Sequence, residues 1–163
     1  MATEKMLDDL FLETLKDIYY AEKQLLKALP KMAKAADDPK LAQGFEMHAD
    51  ETEGHVERLE RIFEILGKPA RGKTCDAILG IVEEAKSVME EFKGTVANDA
   101  GLIAAGQAAE HYEIARYGSL KAWAQQLGMS EAVKLLDQTL KEEKATDQKL
   151  TDLALSQENA KAA

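Results

Sequence analysis

Apolar side chains return every three or four residues along nearly the whole chain, the spacing that lines one face of an α-helix. No apolar/polar alternation long enough for a strand interrupts it. The breaks fall at Asp37-Asp38-Pro39, at Gly67-Lys68-Pro69 with Gly72, between Gly94 and Gly101, and at Gly128-Met129-Ser130. Between them the pattern predicts helices over about 3–36, 39–66, 75–92, 99–127 and 130–156. Asp38 and Pro39 read as N-cap and first helical residue, and Gly128 as a helix stop before Ser130 and Glu131. Pro30 falls inside the first helix, where it should kink the helix or end it early.

The joins after the first and fourth of these helices are a few residues long, so each pair makes an antiparallel hairpin. Between the hairpins the chain takes about 30 residues, including the helix over 75–92, enough to run the length of a bundle of helices roughly 40 Å long. Two antiparallel hairpins joined by one long crossover is the ferritin-like topology of the all-α four-helix bundle, here with one extra helix in the crossover. The expected organisation is one bundle domain over 1–157 and a short disordered tail over 158–163.

Composition narrows the function. The 163 residues are 45% hydrophobic and 31% charged with 3 Pro, which excludes disordered and collagen-like chains. Thirty acidic against 21 basic side chains give a net charge of −9, which opposes binding to nucleic acid or to an anionic membrane. The single cysteine, Cys75, makes neither an internal disulfide nor a zinc cluster. The beginning of the chain lacks the apolar run of a leader, and nothing approaches the roughly 20 apolar residues of a membrane span. A cytoplasmic protein is expected.

The chemistry lies where the stripes are interrupted. The first helix presents Phe11, Leu15, Ile18, Glu22, Leu25 and Leu29; the fourth presents Ile103, Gly106, Glu110, Glu113, Tyr117 and Leu120. The fifth presents Leu136, Leu140, Glu143, Asp147 and Leu150, and the second Phe45, His48, Thr52, His55 and Leu59, with Glu51 one turn from both histidines. All four long helices thus carry polar groups at mid-length. Six ionised carboxylates in one core would cost far more than packing returns unless they kept their protons, met buried cations or bound metal. Arg58, Arg61 and Arg116 lie off the stripes, so metal is the economical answer, and oxygen ligands with one or two imidazoles suit iron or manganese. Singly, each residue also has an ordinary reading: a glutamate reaching solvent along its own methylenes, or a core histidine bonded to Thr52 or a carbonyl. His111 lies off the stripe as a surface or supporting group, and Tyr117 is a core residue able to bond a ligand carboxylate.

The runs Asp17-Ile18-Tyr19-Tyr20-Ala21-Glu22, His48-Ala49-Asp50-Glu51-Thr52-Glu53-Gly54-His55, Glu110-His111-Tyr112-Glu113 and Glu142-Glu143-Lys144-Ala145-Thr146-Asp147 are familiar. Over nearly its whole length the chain resembles the YciE/YciF family of bacterial ferritin-like stress proteins. The resemblance implies a ferritin-like bundle, usually dimeric, with a di-iron site often labelled a ferroxidase. By position it assigns Glu22 and Glu110 as ligands from the first and third bundle helices, and Glu113 resembles the extra carboxylate of rubrerythrin-like members. The ferritin-like plan also asks for Glu-x-x-His on the other two helices, and here the chain departs: Phe45, Thr52 and Ala108 stand three before the three histidines. The nearest substitutes are Glu51 with His48 or His55, with Asp50 and Glu53 less inward, and Glu143 with Asp147 in place of the imidazole.

The resulting expectation is a site holding two iron ions per chain, or manganese. Glu22, Glu51, Glu110 and Glu143 are its main ligands, and Asp147, Glu113 and His48 or His55 complete it. The reaction would be ferrous oxidation, or detoxification of O2 or H2O2 in a stress response, within a homodimer. The alternatives are a non-enzymatic metal buffer or stress-protection dimer on the same scaffold, and an interaction bundle whose central acids are protonated or water-linked.

Overall fold

The computed structural model describes residues 4–163. Five helices make up the body of the fold: α1 (Leu7–Ala35), α2 (Pro39–Ile65), α3 (Asp76–Glu91), α4 (Asn98–Gln126) and α5 (Ser130–Leu153). No strand occurs among the described residues. α1 and α2 form one antiparallel hairpin and α4 and α5 the other; α2 packs on α5 and α1 on α4, closing a four-helix ring. α3 lies outside, against α4 and α1. The molecule is an all-α, ferritin-like bundle with an extra crossover helix. No described helix is long and apolar enough to cross a membrane.

The helix ends follow from local chemistry. The Asp38 carboxylate accepts from the Lys40 and Leu41 amides at 2.8 and 3.2 Å, closing the α2 N-terminus above Pro39. Gly128 takes a φ of 72°, a left-handed turn that other residues adopt at a cost, and so stops α4. Met129 occupies the N-cap of α5, which makes Ser130 its first helical residue. α3 and α4 approach closely at Gly101, where a Cβ would come within 2.7 Å of the Val88 Cγ1. The start of α4 also grips the first hairpin. The buried Asp99 carboxylate accepts from the Asp37 and Asp38 amides at 2.8 and 2.6 Å, and Asn98 Nδ2 donates to the Ala35 carbonyl at 2.8 Å.

α1 runs past Pro30 to Ala35, close to the bound of about 36 that the pattern predicts, so of the two outcomes expected at Pro30 the early end does not occur. Pro30 lies on the exposed side, where water can take the bond it forfeits. The tail expected to be disordered over 158–163 continues as helix: a π-helical turn, Ala154–Glu158, leads into α6 (Asn159–Ala162). Glu158 is buried there, and Lys161 bridges it to Asp38 at 2.8 and 3.5 Å, which ties the end of the chain to the first hairpin.

The core has an apolar half at each end. Phe11, Leu15 and Ile18 meet Leu59, Ile62 and Leu136 towards one end, and Leu29, Leu41, Phe45, Ile103 and Leu150 fill the other. Each such side chain contributes about 1.5–3 kcal/mol through burial. Between these halves lies a polar layer.

Candidate metal centre

Six side chains converge in that layer: Glu22 from α1, His48 and His55 from α2, Glu110 and Glu113 from α4, and Glu143 from α5, none more than 3% exposed. Ligating atoms of His48, Glu110, Glu113 and Glu143 lie within 4.8 Å of one another, and so do those of Glu22, His55 and Glu143. Glu143 stands in both groups and joins them.

The histidines are seven residues apart, two turns of α2, so both rings face inward on one side of the helix. His48 Nε2 lies 2.8 Å from Glu110 Oε1 and 3.7 Å from Glu143 Oε2. His55 Nδ1 lies 3.0 Å from Glu143 Oε1 and 3.4 Å from Glu22 Oε1, at angles that do not make a hydrogen bond. The Tyr117 hydroxyl donates a very short hydrogen bond to Glu22 Oε1.

Each imidazole is held from behind. His55 Nε2 sits 2.9 Å from Glu142 Oε2, and Arg58 clamps that carboxylate with bonds of 2.7 and 2.8 Å while reaching Thr139 Oγ1 at 3.0 Å. His48 Nδ1 faces Glu51 Oε2 at 3.6 Å and Thr146 Oγ1 at 3.5 Å, and Thr146 donates to Glu51 at 3.2 Å. Carboxylates behind metal-binding imidazoles fix their orientation in the same way.

What is missing is satisfaction at the centre. Seven buried atoms have no hydrogen-bond partner: Glu22 Oε2, His55 Nδ1, Glu110 Oε2, and both carboxylate oxygens of Glu113 and Glu143. At about 1–3 kcal/mol for each unsatisfied buried group, their cost rivals the whole net stability of a domain, about 5–15 kcal/mol. Such a convergence needs protons or cations. Burial, then repulsion from Glu143, Glu22 and Glu110, pushes the Glu113 carboxyl well above the usual range. Burial pushes Glu143 to about 8 against the pull of His55. For the imidazoles burial opposes charging, yet Glu110 and Glu51 hold His48 well above its ordinary value, and Glu143 and Glu22 take His55 to about 10. Burial also works to raise Glu22, but His55, Glu113 and Tyr117 together keep it low. Without metal, the layer therefore stores protons.

Comparison with known proteins fits this frame. Residues 6–163 match the profile of a family described as a domain of unknown function, DUF892. Protein YciF of Escherichia coli K12 is 48% identical over 159 residues, 97% of this chain and 96% of that protein. The chain belongs to the YciE/YciF family. The crystal structure of the E. coli stress protein YciF superposes with a TM-score of 0.91 at 47% identity, covering 96% of this chain and 99% of that one. YcfI from Rhodopseudomonas palustris gives 0.88 at 44% identity over 93% and 98% of the two chains. A protein from Xanthomonas campestris pv. campestris shares the fold alone, with a TM-score of 0.71 at 22% identity over 95% and 92%.

For this YciE/YciF member, six of the eight residues singled out in the sequence meet in the polar layer, and two stand outside it. Glu51, expected among the main ligands, is half-buried on the rim behind His48. Asp147, expected to stand in for an imidazole, turns towards α4, where Gln107 donates to it at 3.2 Å and the exposed His111 sits at 3.1 Å. The fifth-helix stripe can step from Glu143 to Leu150 through 146 or 147 with equal ease. The neutral Thr146 takes the inward path and the charged Asp147 the edge, where water and an amide can reach it. The supporting groups Glu142, Arg58, Thr139 and Thr146 were not found from sequence. Their only trace was Glu142 beside Glu143, and Arg58 three residues beyond His55.

Proposed function

We propose that this chain holds two metal ions, iron in the first instance, and uses them to reduce O2 or a peroxide in a stress response. The observation that carries this reading is the set of seven unpartnered buried ligand atoms on four helices. Charge arithmetic supports the stoichiometry: four carboxylates and two neutral imidazoles carry −4, which two divalent cations cancel inside an apolar bundle. Oxygen donors with two nitrogens suit iron or manganese.

His48, Glu110, Glu113 and Glu143 would hold one ion, and Glu22, His55 and Glu143 the other, with Glu143 common to both. A di-iron pair supplies two electrons at once, which a single ferrous ion does not. The protein's own groups do the rest. Tyr117 fixes the rotamer of Glu22, the Arg58–Glu142 pair aims His55 Nδ1 inward, and Thr146 with Glu51 aims His48 Nε2. Without bound metal Glu113 and Glu143 would hold protons, and would release them as cations bind. A homodimer, as the family resemblance implies, and a cytoplasmic location, as expected from the sequence, accompany this reading.

The test is anaerobic titration with Fe(II) followed by air. Binding of about two ions per chain, then O2 consumption with rising ferric absorption in the near ultraviolet, supports the proposal. No ferrous or manganous binding by the intact protein would refute it. Retention of metal without O2 or peroxide consumption would move the reading to a metal-holding stress module.

A further inference from the structure

A cavity of about 50 Å³ lies in the apolar half of the bundle beyond the polar layer, between α1, α2, α4 and α5. Its walls are Leu29, Phe45, Leu150 and neighbouring apolar side chains, and its inner end is formed by His48 and Glu110. Glu110, whose Oε2 atom is buried and unpartnered, is one of the residues lining the cavity. Gly44, Met47, Glu51 and Lys149 line the cavity on the side where α2 faces α5, and Met47 is 48% exposed there. A Cβ added at Gly44 would meet nothing within 4 Å, so the glycine leaves space open at that point.

Resting on the metal reading above, we infer that this cavity admits a small uncharged apolar oxidant to the His48 side of the centre and excludes hydrated cations and hydrogen peroxide. Predominantly apolar cavities take up xenon and small apolar molecules, because such guests lose no hydrogen bonds on entering. A hydrated ferrous ion or H2O2 would shed most of its water bonds against leucine and phenylalanine side chains, with only His48, Glu51, Glu110, Thr146 and Lys149 of the lining able to replace any of them. At the opening, Lys149 and Glu51 bring opposite charges, so no net charge recruits an ion. The matching guests are dioxygen and the peroxy group of a small alkyl hydroperoxide. Their reduction balances with one electron from each of two ferrous ions: O2 and two protons give H2O2, while an alkyl hydroperoxide and two protons give its alcohol and water. The cavity touches His48 and Glu110 but neither Glu22 nor His55, so the two halves of the centre are unequal and the oxidant arrives at the His48 half.

Crystals of the protein pressurised with xenon test the cavity without reference to turnover, in wild type, Gly44→Ala and Gly44→Leu. Xenon is expected beside Phe45 and Leu150 in the first two and displaced in the third, whose side chain enters the open space. In Fe(II)-loaded protein, Gly44→Leu should slow oxidation by O2, by tert-butyl hydroperoxide or by both about tenfold, as a blocked entry does, with metal stoichiometry and the H2O2 rate unchanged. The arm that slows identifies the guest. Absence of xenon in a chain that binds two metals overturns this inference and leaves the metal reading standing. Xenon in a chain that binds no metal removes that reading, and with it the role given to the cavity. Equal slowing of all three oxidants, or of none, also overturns it.

Discussion

Glu143→Gln separates the two ways in which the polar layer can be satisfied. Glu143 is completely buried, both its oxygens lack hydrogen-bond partners, and it is the carboxylate common to both ligand groups. Its carboxyl is pushed to about 8, so at pH 7 the metal-free protein already holds it mostly neutral. Glutamine has the same shape, and its carbonyl can still face His55 Nδ1, which lies 3.0 Å from Glu143 Oε1. The metal-free variant should therefore match wild type within about 1 kcal/mol at pH 7, since a neutral isostere replaces a neutral group. Metal makes the two proteins diverge. A cation bound only by the folded state at about 100 times its Kd adds about 2.7 kcal/mol. For a chain of this size that corresponds to a rise of about 5–10 °C in Tm. Mn(II) melts under nitrogen, followed by circular dichroism, give the readout without redox chemistry. Wild type should gain that increment and Glu143→Gln almost none. A variant that keeps the full increment would refute the shared-ligand assignment, and a wild type that gains nothing would refute metal binding.

Two further outcomes follow from the same layer. His55 is raised from 6.5 to about 10 and Glu143 from 4.5 to about 8, so the folded metal-free protein binds more protons than the unfolded chain across these intervals. Its stability should be highest at the acidic end and fall as pH rises from about 5 through 10, metal should flatten the decline, and metal uptake at pH 7 should acidify a weakly buffered solution; a flat metal-free profile would contradict the assignment. Glu142→Gln removes the charge behind His55 and frees Arg58 from its clamp; it should weaken metal affinity about 10–100-fold at unchanged helicity, whereas unaltered affinity by calorimetry would show that His55 needs no support.

The bundle was legible because its message is redundant. Every turn of every long helix repeats the apolar stripe, and Asp38-Pro39 and Gly128 mark ends by local chemistry that no neighbour overrides. The polar layer was legible for the same reason, since Glu22, His48, His55, Glu110, Glu113 and Glu143 occupy stripe positions. The rim was not. Glu51, Thr146 and Asp147 sit where 3.6 residues per turn leaves a choice of two, and the choice is made by the partner helix: Thr146 meets Glu51 across α2, and Asp147 meets Gln107 across α4. Arg58 and Glu142 come together across 84 residues, a pairing with no local sign. The terminal helix was missed because Lys161 finds Asp38 only once the bundle has closed.

The two imidazoles are carried on one uninterrupted α2, so that helix acts as a ruler with its marks two turns apart. Inserting or deleting a single residue between them would swing one ring about 100° away from the axis. Changes of length are thus confined to the segments joining the helices, and within 48–55 the centre can be retuned only by exchanging one side chain for another.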